Sequence, residues 1–278
     1  MTRFEAFAER KTAEAASAAI NPFKTDLDRP TGDVVAIGNA WSRRMFDGSF
    51  YVSPAPSDDL PAASLVFVRS RDGDTMARNP SALGGGDADK HLIYEGLSRA
   101  SADAVLSGAA TIRGSQLILS VWRAELVALR ASLGLPRHPM QVAATLDGID
   151  LDHGLMFNVP ELRVTVITVA RGAEVMRDGL AARPWITPIV MKGPQDLAGA
   201  FRQLRRDGVH YVSCIGGRTL AGQLIDAGLI QDLYLTTSAQ SGGEPNTPFH
   251  PTPPPTIAIA RKHGTGADCG VVFEHLRI

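Results

Sequence analysis

One stretch, residues 210–237, constrains the fold most because it predicts a strand, a turn, a helix and a second strand without interruption. Its sequence is HYVSCIGGRTLAGQLIDAGLIQDLYLTT. The largely apolar run over residues 209–215 is typical of a buried parallel strand, and it ends in Gly216 and Gly217. Apolar residues then recur at helical spacing until Gly228 ends the helix. The stretch therefore predicts a βαβ unit.

The turn at Gly216 and Gly217 is the first candidate ligand site. Without Cβ atoms a ligand can approach the backbone, and the N–H groups and dipole at the start of the next helix favour a phosphate. Taken alone, the turn is more typical of an ordinary α/β connection. A second turn of this kind follows the predicted strand over residues 104–106, with Gly108 in the turn and Thr111 in the first helical turn.

Two glycine turns at neighbouring strand ends would form a cradle suited to a dinucleotide, which has two phosphates and a nicotinamide to hold. Neither turn has the G-x-G-x-x-G spacing, and the chain has no G-x-x-x-x-G-K. A standard Rossmann domain is therefore disfavoured.

The remaining periodicities predict an α/β chain with a mainly parallel sheet. Strands are predicted over residues 65–68, 104–106, 141–146, 163–169, 186–191 and 209–215, and helices over 4–19, 87–99, 122–133 and 194–207. Beyond a loop rich in glycine and proline, residues 256–262 and 269–277 are predicted to pair as antiparallel strands. Residues 1–63 are expected to form an extension, a helix plus an irregular segment with one possible strand at 34–37, before a main domain of residues 64–278.

Charge and composition exclude several classes of function. Lys and Arg number 28 against 29 Asp and Glu, so no bulk field favours nucleic acid or a membrane surface as a partner. Two cysteines are too few for a disulfide framework and fit a reducing cytoplasm. No signal-peptide core and no run of about 18 apolar residues occurs. The histidines lack the spacing of zinc ligands, so we expect no metal site.

Polar residues follow two predicted strands where the carboxyl ends of an open sheet face a ligand crevice. Ser70, Asp72 and Gly73 follow the strand over residues 65–68. Thr168 and Arg171 end another strand, and Arg171 is interpreted equally well as a ligand to a ribose 2′-phosphate or as a solvated side chain.

Acidic residues also open the predicted helix over residues 87–99. Asp87 and Asp89 in its first turn are interpreted as helix-end electrostatics rather than as proton-transfer groups.

Several segments, in family order, resemble the RibD C-terminal (pyrimidine/pteridine) reductase family of riboflavin biosynthesis, which has a dihydrofolate-reductase-like fold. Residues 70–73 look like S-L-D-G, residues 81–84 with Asp89 look like S-x-L-x-G…D, and residues 103–113 match D-A-V-L-V-G-A-G-T-V-R. Residues 216–220 match G-G-P-T-L, and residues 228–233 resemble G-L-V-D-E-L. The resemblance covers about residues 64–278.

This resemblance implies a reductase that binds NADPH across the two glycine turns, takes a pyrimidine- or pterin-like substrate, and forms a homodimer. With Thr168 and Arg171 included, the expected cofactor-binding residues are Gly108, Thr111, Ile112, Arg113, Thr168, Arg171, Gly216, Gly217, Arg218, Thr219 and Leu220. The expected substrate-binding residues are Ser70, Asp72, Gly73, Ser81, Leu83 and Ile215, and Ser70 and Asp72 are also the catalytic candidates that orient the substrate.

Three departures from the family pattern bear on the substrate. Asp74 stands where lysine is usual, Ile215 where glutamate is frequent, and Ala110 where a second glycine is usual. A carboxylate repels a phosphorylated substrate, and isoleucine cannot hydrogen-bond a pyrimidine, so the usual phosphoribosylaminopyrimidine is disfavoured. The three departures together also motivate an alternative function, that of a relative that binds NADPH without turnover and acts as a binding or assembly protein. A reductase with a flavin-type cofactor is a third possibility.

Overall fold

The computed structural model describes residues 1–76, 83–113 and 116–278. Ten strands of this described chain form one sheet in the order β1-β11-β12-β10-β4-β9-β5-β6-β7-β8. Their bounds are β1 Phe23–Asp28, β4 Ala62–Arg69, β5 Ala104–Gly108, β6 Met140–Ala144, β7 Val164–Val169, β8 Ile186–Met191, β9 Tyr211–Cys214, β10 Asp232–Thr237, β11 Ile257–Gly264 and β12 Val272–Arg277. Strands β2 (Val35–Ile37) and β3 (Phe50–Val52) pair separately.

Seven neighbouring strands, from β10 to β8, are parallel, whereas β12, β11 and β1 extend one edge of the sheet in antiparallel order. The predicted mainly parallel α/β fold with antiparallel C-terminal strands is therefore confirmed. Because parallel strands end at the same side of a sheet, the turns after β4, β5 and β9 come together.

Successive residues of each central strand point to opposite faces of the sheet, so the chain has two apolar cores. Val105 of β5 packs in one core, and its neighbours Ala104 and Leu106 pack in the other. Burial on both faces explains why the central strands are nearly continuous apolar runs.

Helices cover both cores, and those predicted over residues 4–19, 87–99, 122–133 and 194–207 occur with bounds that differ by at most three residues, whereas the helices over residues 40–45, 170–175 and 177–181 were not predicted. The helices are α1 Arg3–Ser17, α2 Ala40–Met45, a π-helix Ala88–Leu97, α3 Ser98–Ala100, α4 Ala109–Ile112, α5 Ala124–Ser132, α6 Ala170–Val175, α7 Arg177–Ala181, α8 Leu197–Arg206 and α9 Arg218–Asp226, with 3₁₀ turns at Leu155–Asn158 and Gly266–Asp268. In the described residues, no helix has both the length and the apolar character needed to cross a membrane.

The N-terminal segment departs from the expected irregular connection. Residues 23–28 form β1, which pairs with β11 at the sheet edge, where Phe23 lies opposite Gly264. This strand is short, and apart from Phe23 its residues keep partial or full contact with solvent, so no strong apolar pattern marks it. Its pairing depends on a strand at the other end of the chain, which a local pattern cannot reveal.

Candidate active site

The two glycine turns lie against each other at the carboxyl ends of β5 and β9. The N–H of Gly108 donates to the carbonyl of Gly216 at 3.1 Å, and the N–H of Ile215 donates to the carbonyl of Leu106 at 2.9 Å. Gly216 and Gly217 have φ values of 133° and 90°, a region that favours glycine. The backbone therefore forms one continuous surface without side chains between α4 and α9.

This surface forms part of the wall of a cavity of about 1400 Å³. Drug-sized ligands occupy pockets of about 300–1,000 Å³, so the cavity has room for two ligands together. It extends over the ends of β4, β5, β6, β7, β8 and β9, and the π-helix and residues 267–271 also contribute to its wall.

Most of the predicted glycine-turn residues line this cavity. The ones that do are Gly108, Thr111, Arg113, Gly216, Gly217, Arg218, Thr219 and Leu220 from the predicted cofactor set, with Leu83 and Ile215 from the predicted substrate set. The structure thus brings two turns that are far apart in the chain into one site, as the sequence predicts.

Ser70, Asp72 and Gly73, in contrast, are absent from the described lining of the cavity. Ser70 is buried, and its hydroxyl accepts from the backbone N–H of Asp74 in the turn that follows. Asp72 is exposed and accepts hydrogen bonds from the Ser241 hydroxyl (3.2 Å) and the Gly242 N–H (3.1 Å). The turn points toward residues 238–247, so the carboxylate of Asp72 stabilises a loop instead of facing the cavity.

Three further predicted residues, Ile112, Thr168 and Arg171, are also absent from the described lining of the cavity. Thr168 is buried in the sheet, and Ile112 packs in the core. Arg171 is exposed and forms an ion pair of 3.4 Å with Asp147, and Asp147 does line the cavity. Ser81 lies outside the described residues.

Asp89 of the π-helix is a buried carboxylate that the cavity wall does contain. It is only 8% exposed, and burial raises its pKa from the usual 3.8 to about 6, although a hydrogen bond with Thr236 acts in the opposite direction. Gly85 makes room for it, because a Cβ there would lie 2.6 Å from Asp89 Oδ2. The S-x-L-x-G…D resemblance already included this residue, but its place in a first helical turn favoured an electrostatic role at the helix end.

Charged groups are divided between two parts of the cavity. Arg113 and Arg218 follow the glycine turns, whereas four carboxylates lie on the π-helix, just before it, or on the β11–β12 connection, namely Asp87, Asp89, Glu95 and Asp268. Asp147 lies apart from them beyond β6, and the ammonium of Lys90 is paired with Glu14. Within residues 1–76, 83–113 and 116–278, no cluster of three or more His, Cys, Asp or Glu side chains is arranged to hold a metal ion.

Comparison with known proteins decides the family. Residues 65–273 match the sequence model of the RibD C-terminal domain. The chain belongs to the RibD C-terminal domain family. No curated protein matches it at a comparable level.

Solved structures share this RibD C-terminal fold at low sequence identity. A pyrimidine reductase-like protein from Corynebacterium diphtheriae is 20% identical, with a TM-score of 0.63 over 78% of this chain and 91% of its own. RibD from Acinetobacter baumannii is 18% identical, with a TM-score of 0.60 over 79% of this chain and 58% of its own. The riboflavin biosynthesis reductase Rib7 from Saccharomyces cerevisiae is 13% identical, with a TM-score of 0.55 over 80% and 92%.

Two of the three departures from the pattern of RibD C-terminal domains line the cavity. Ile215 is buried between the glycine turns and the core, so it contributes an apolar surface, and Ala110 lies at the exposed start of α4. Asp74 has a different role, because its Oδ1 accepts from the Thr247 N–H at 2.9 Å. This carboxylate joins two loops and is absent from the described lining of the cavity, so the structure does not place it where it would repel a phosphate.

Proposed function

We propose that this protein is an NADPH-dependent reductase that transfers a hydride to a C=N or C=O group of a pyrimidine- or pterin-like heterocycle. Membership of the RibD C-terminal family supports a reductase acting on a pyrimidine-like substrate. The observation that carries the proposal is the composition of one cavity wall. The two contacting glycine turns form one part of it, and the buried acid Asp89 lies in another part.

The residues of the cradle fit a dinucleotide. Gly108, Gly216 and Gly217 leave the backbone open to a pyrophosphate, and the N-terminus of α9 favours its negative charge. Arg113 and Arg218 would supply charge-assisted hydrogen bonds to phosphate oxygens. When bound, the reduced nicotinamide supplies the hydride, and the protein contributes position and the exclusion of water.

Asp89 would hold the proton that the reduced bond also needs. A carboxyl group with a pKa of about 6 retains a proton near neutral pH far more often than an ordinary aspartate. One of its oxygens bonds with Thr236, and we infer that the protonated carboxyl donates to the nitrogen or oxygen of the acceptor bond. Asp72, which the sequence predicts to orient the substrate, is engaged outside the cavity instead.

The charge of the cavity favours an unphosphorylated substrate. Asp87 and Asp268 line the same cavity as Asp89, as does Glu95, whose charge is paired with Lys11. A phosphate brought there would meet carboxylates of like charge, whereas amino groups on a heterocycle would find hydrogen-bond acceptors. We therefore propose an amino-substituted heterocycle without a phosphate, instead of the usual phosphoribosylaminopyrimidine.

Calorimetric titration with NADPH tests the cradle through Gly108→Val. Gly108 has an ordinary φ of −73°, so valine is tolerated by the backbone, but its methyl groups would extend from a Cβ position 3.6 Å from the Gly216 carbonyl oxygen. We expect NADPH affinity to fall at least about tenfold while the melting temperature of the free protein changes little. Gly32→Val is the matched control, because nothing lies within 4 Å of a Cβ at Gly32. Equal affinities for both variants would exclude the cradle.

A second candidate function is NADPH binding without turnover, favoured by Ile215 and Ala110 at positions where the family pattern has other residues. It predicts tight NADPH binding and no NADPH oxidation with any member of a panel of pterins and aminopyrimidines. Turnover of one member would eliminate it. We also propose a homodimer, which sedimentation of the purified protein would test.

A further inference from the structure

The N-terminal helix α1 lies outside the residues that match the family model, yet it contacts the wall of the cavity. We infer that Lys11 of α1 is a positioning residue that holds the π-helix through Glu95. The π-helix supplies four residues of the cavity wall: Asp89, Lys90, Tyr94 and Glu95. The consequence for catalysis rests on the proposed function, whereas the contact itself does not.

Charged side chains of alternating sign connect α1 with the π-helix. Lys11 Nζ lies 3.0 Å from Glu95 Oε1 and 3.2 Å from Glu14 Oε2, and Lys90 bonds to the other oxygen of Glu14. The side chains of Lys11 and Glu95 are only 11% and 12% exposed. Solvent screens so buried a pair weakly, and the loss of one partner leaves the other charge uncompensated.

Further bonds fix the same segment to the cavity wall. The Ala19 N–H donates to Asp87 at 2.9 Å, just before the π-helix, and the Asn21 side-chain amide donates to Asp268 at 3.2 Å. Arg123 donates to the carbonyl of Ala15 at 2.8 Å and so fixes the end of α1. The N-terminal segment thus meets the acidic part of the cavity at three points, Glu95, Asp87 and Asp268.

The π-helix is the element of this wall that most needs such support. π-Helical turns are rare, and Gly96 interrupts this one with φ −109° and ψ −110°. Glu95 Oε2 is buried without a hydrogen-bond partner among the described residues, 3.8 Å from His91 Nδ1. Burial lowers the pKa of His91, so Lys11 is the cation that compensates the charge of Glu95. Without that cation the helix can lower its energy by turning Glu95 toward solvent, which would also displace Asp89 and Tyr94.

Hydrogen–deuterium exchange of the cofactor-free protein tests this inference. For Lys11→Met we expect amides 88–97 to exchange about tenfold faster or more, with the amides of β5 and β9 unchanged. Lys11→Arg, which keeps the charge and approximate length, should restore the slow exchange. Lys24→Met is the matched control, because Lys24 is an exposed lysine of the same N-terminal segment. Glu95→Gln provides a second variant that breaks the same pair if Lys11→Met does not fold.

The outcomes separate this inference from the proposed function. Unchanged exchange over residues 88–97, or equal acceleration throughout the chain, would overturn the positioning role of Lys11. NADPH titration of Lys11→Met should give an affinity within about twofold of that of the parent protein, because the glycine turns belong to other elements than the π-helix. An absence of NADPH binding in the parent protein would instead refute the proposed function and leave the exchange result unaffected.

Discussion

Replacing Asp89 by asparagine should make the protein more stable at neutral pH. Burial raises the pKa of Asp89 from 3.8 to about 6, so between these pH values the folded chain holds its proton more tightly than the unfolded chain does. The stabilisation from this proton is complete below about pH 4 and is lost as the pH rises through 6. Each pKa unit corresponds to about 1.4 kcal/mol, so the cost of the buried charge reaches about 3 kcal/mol above pH 6.

An asparagine side chain carries no charge at any pH, so the substitution removes this cost and keeps a group of the same shape beside Thr236. We expect the free energy of unfolding of Asp89→Asn to equal that of the parent protein near pH 4 and to exceed it by about 3 kcal/mol at pH 7. Urea denaturation at several pH values between about 4 and 8 measures the difference. The same variant should lose about 100-fold or more of any reductase activity, because the amide is not an acid.

Asp72→Asn is the appropriate control because this carboxylate is exposed. Because this variant retains Asp89, its unfolding free energy should fall between about pH 4 and 6 as that of the parent protein does, and the two should differ by a constant amount. A difference between Asp89→Asn and the parent protein that does not vary with pH would refute the reasoning, since it would mean that the Asp89 carboxyl titrates as if in water. Full activity of Asp89→Asn would separately exclude its role as proton donor.

Two further substitutions test other parts of the molecule. Arg218→Met should weaken NADPH binding about 10- to 100-fold in calorimetry, because a charge-assisted bond to phosphate is lost, and the effect should shrink at high salt. An unchanged affinity would show that the guanidinium stays beside Met76 Sδ, 3.2 Å away, when the cofactor binds. Asp232→Ala should lower the unfolding free energy by about 3–5 kcal/mol, because the buried carboxylate accepts from Ser53 N–H, from the Ser53 hydroxyl and from His275. A loss below about 1 kcal/mol in urea denaturation would contradict this account.

Local patterns were sufficient for most of the central sheet. The strand over residues 186–191 has the predicted bounds, and those over 104–106 and 163–169 differ by at most two residues from β5 and β7. These segments are apolar because both of their faces are buried, so their sequence alone is distinctive. Strand β1 was not predicted, since an edge strand needs few apolar residues and its partner β11 lies at the other end of the chain.

The sequence by itself determined the glycine turns. Gly108, Gly216 and Gly217 have no side chain, and the apolar runs before them show that each turn follows a strand. It also determined the family resemblance, which the match over residues 65–273 bears out. Parallel strands place both turns at the same edge of the sheet, a rule that needs no coordinates, but the contact between the turns depends on the pairing of β5 with β9.

Only the tertiary structure decided which acid faces the cavity. Asp72 and Asp89 both follow β4 along the chain and have the same chemistry. Asp72 accepts a hydrogen bond from Ser241, whereas Asp89 is buried beside Thr236. Both partners lie in the C-terminal part of the chain, and Ser241 is 169 positions away from Asp72. The orientation and the pKa of a carboxylate depend on such distant groups and on the loss of water around it, and neither is encoded in neighbouring residues.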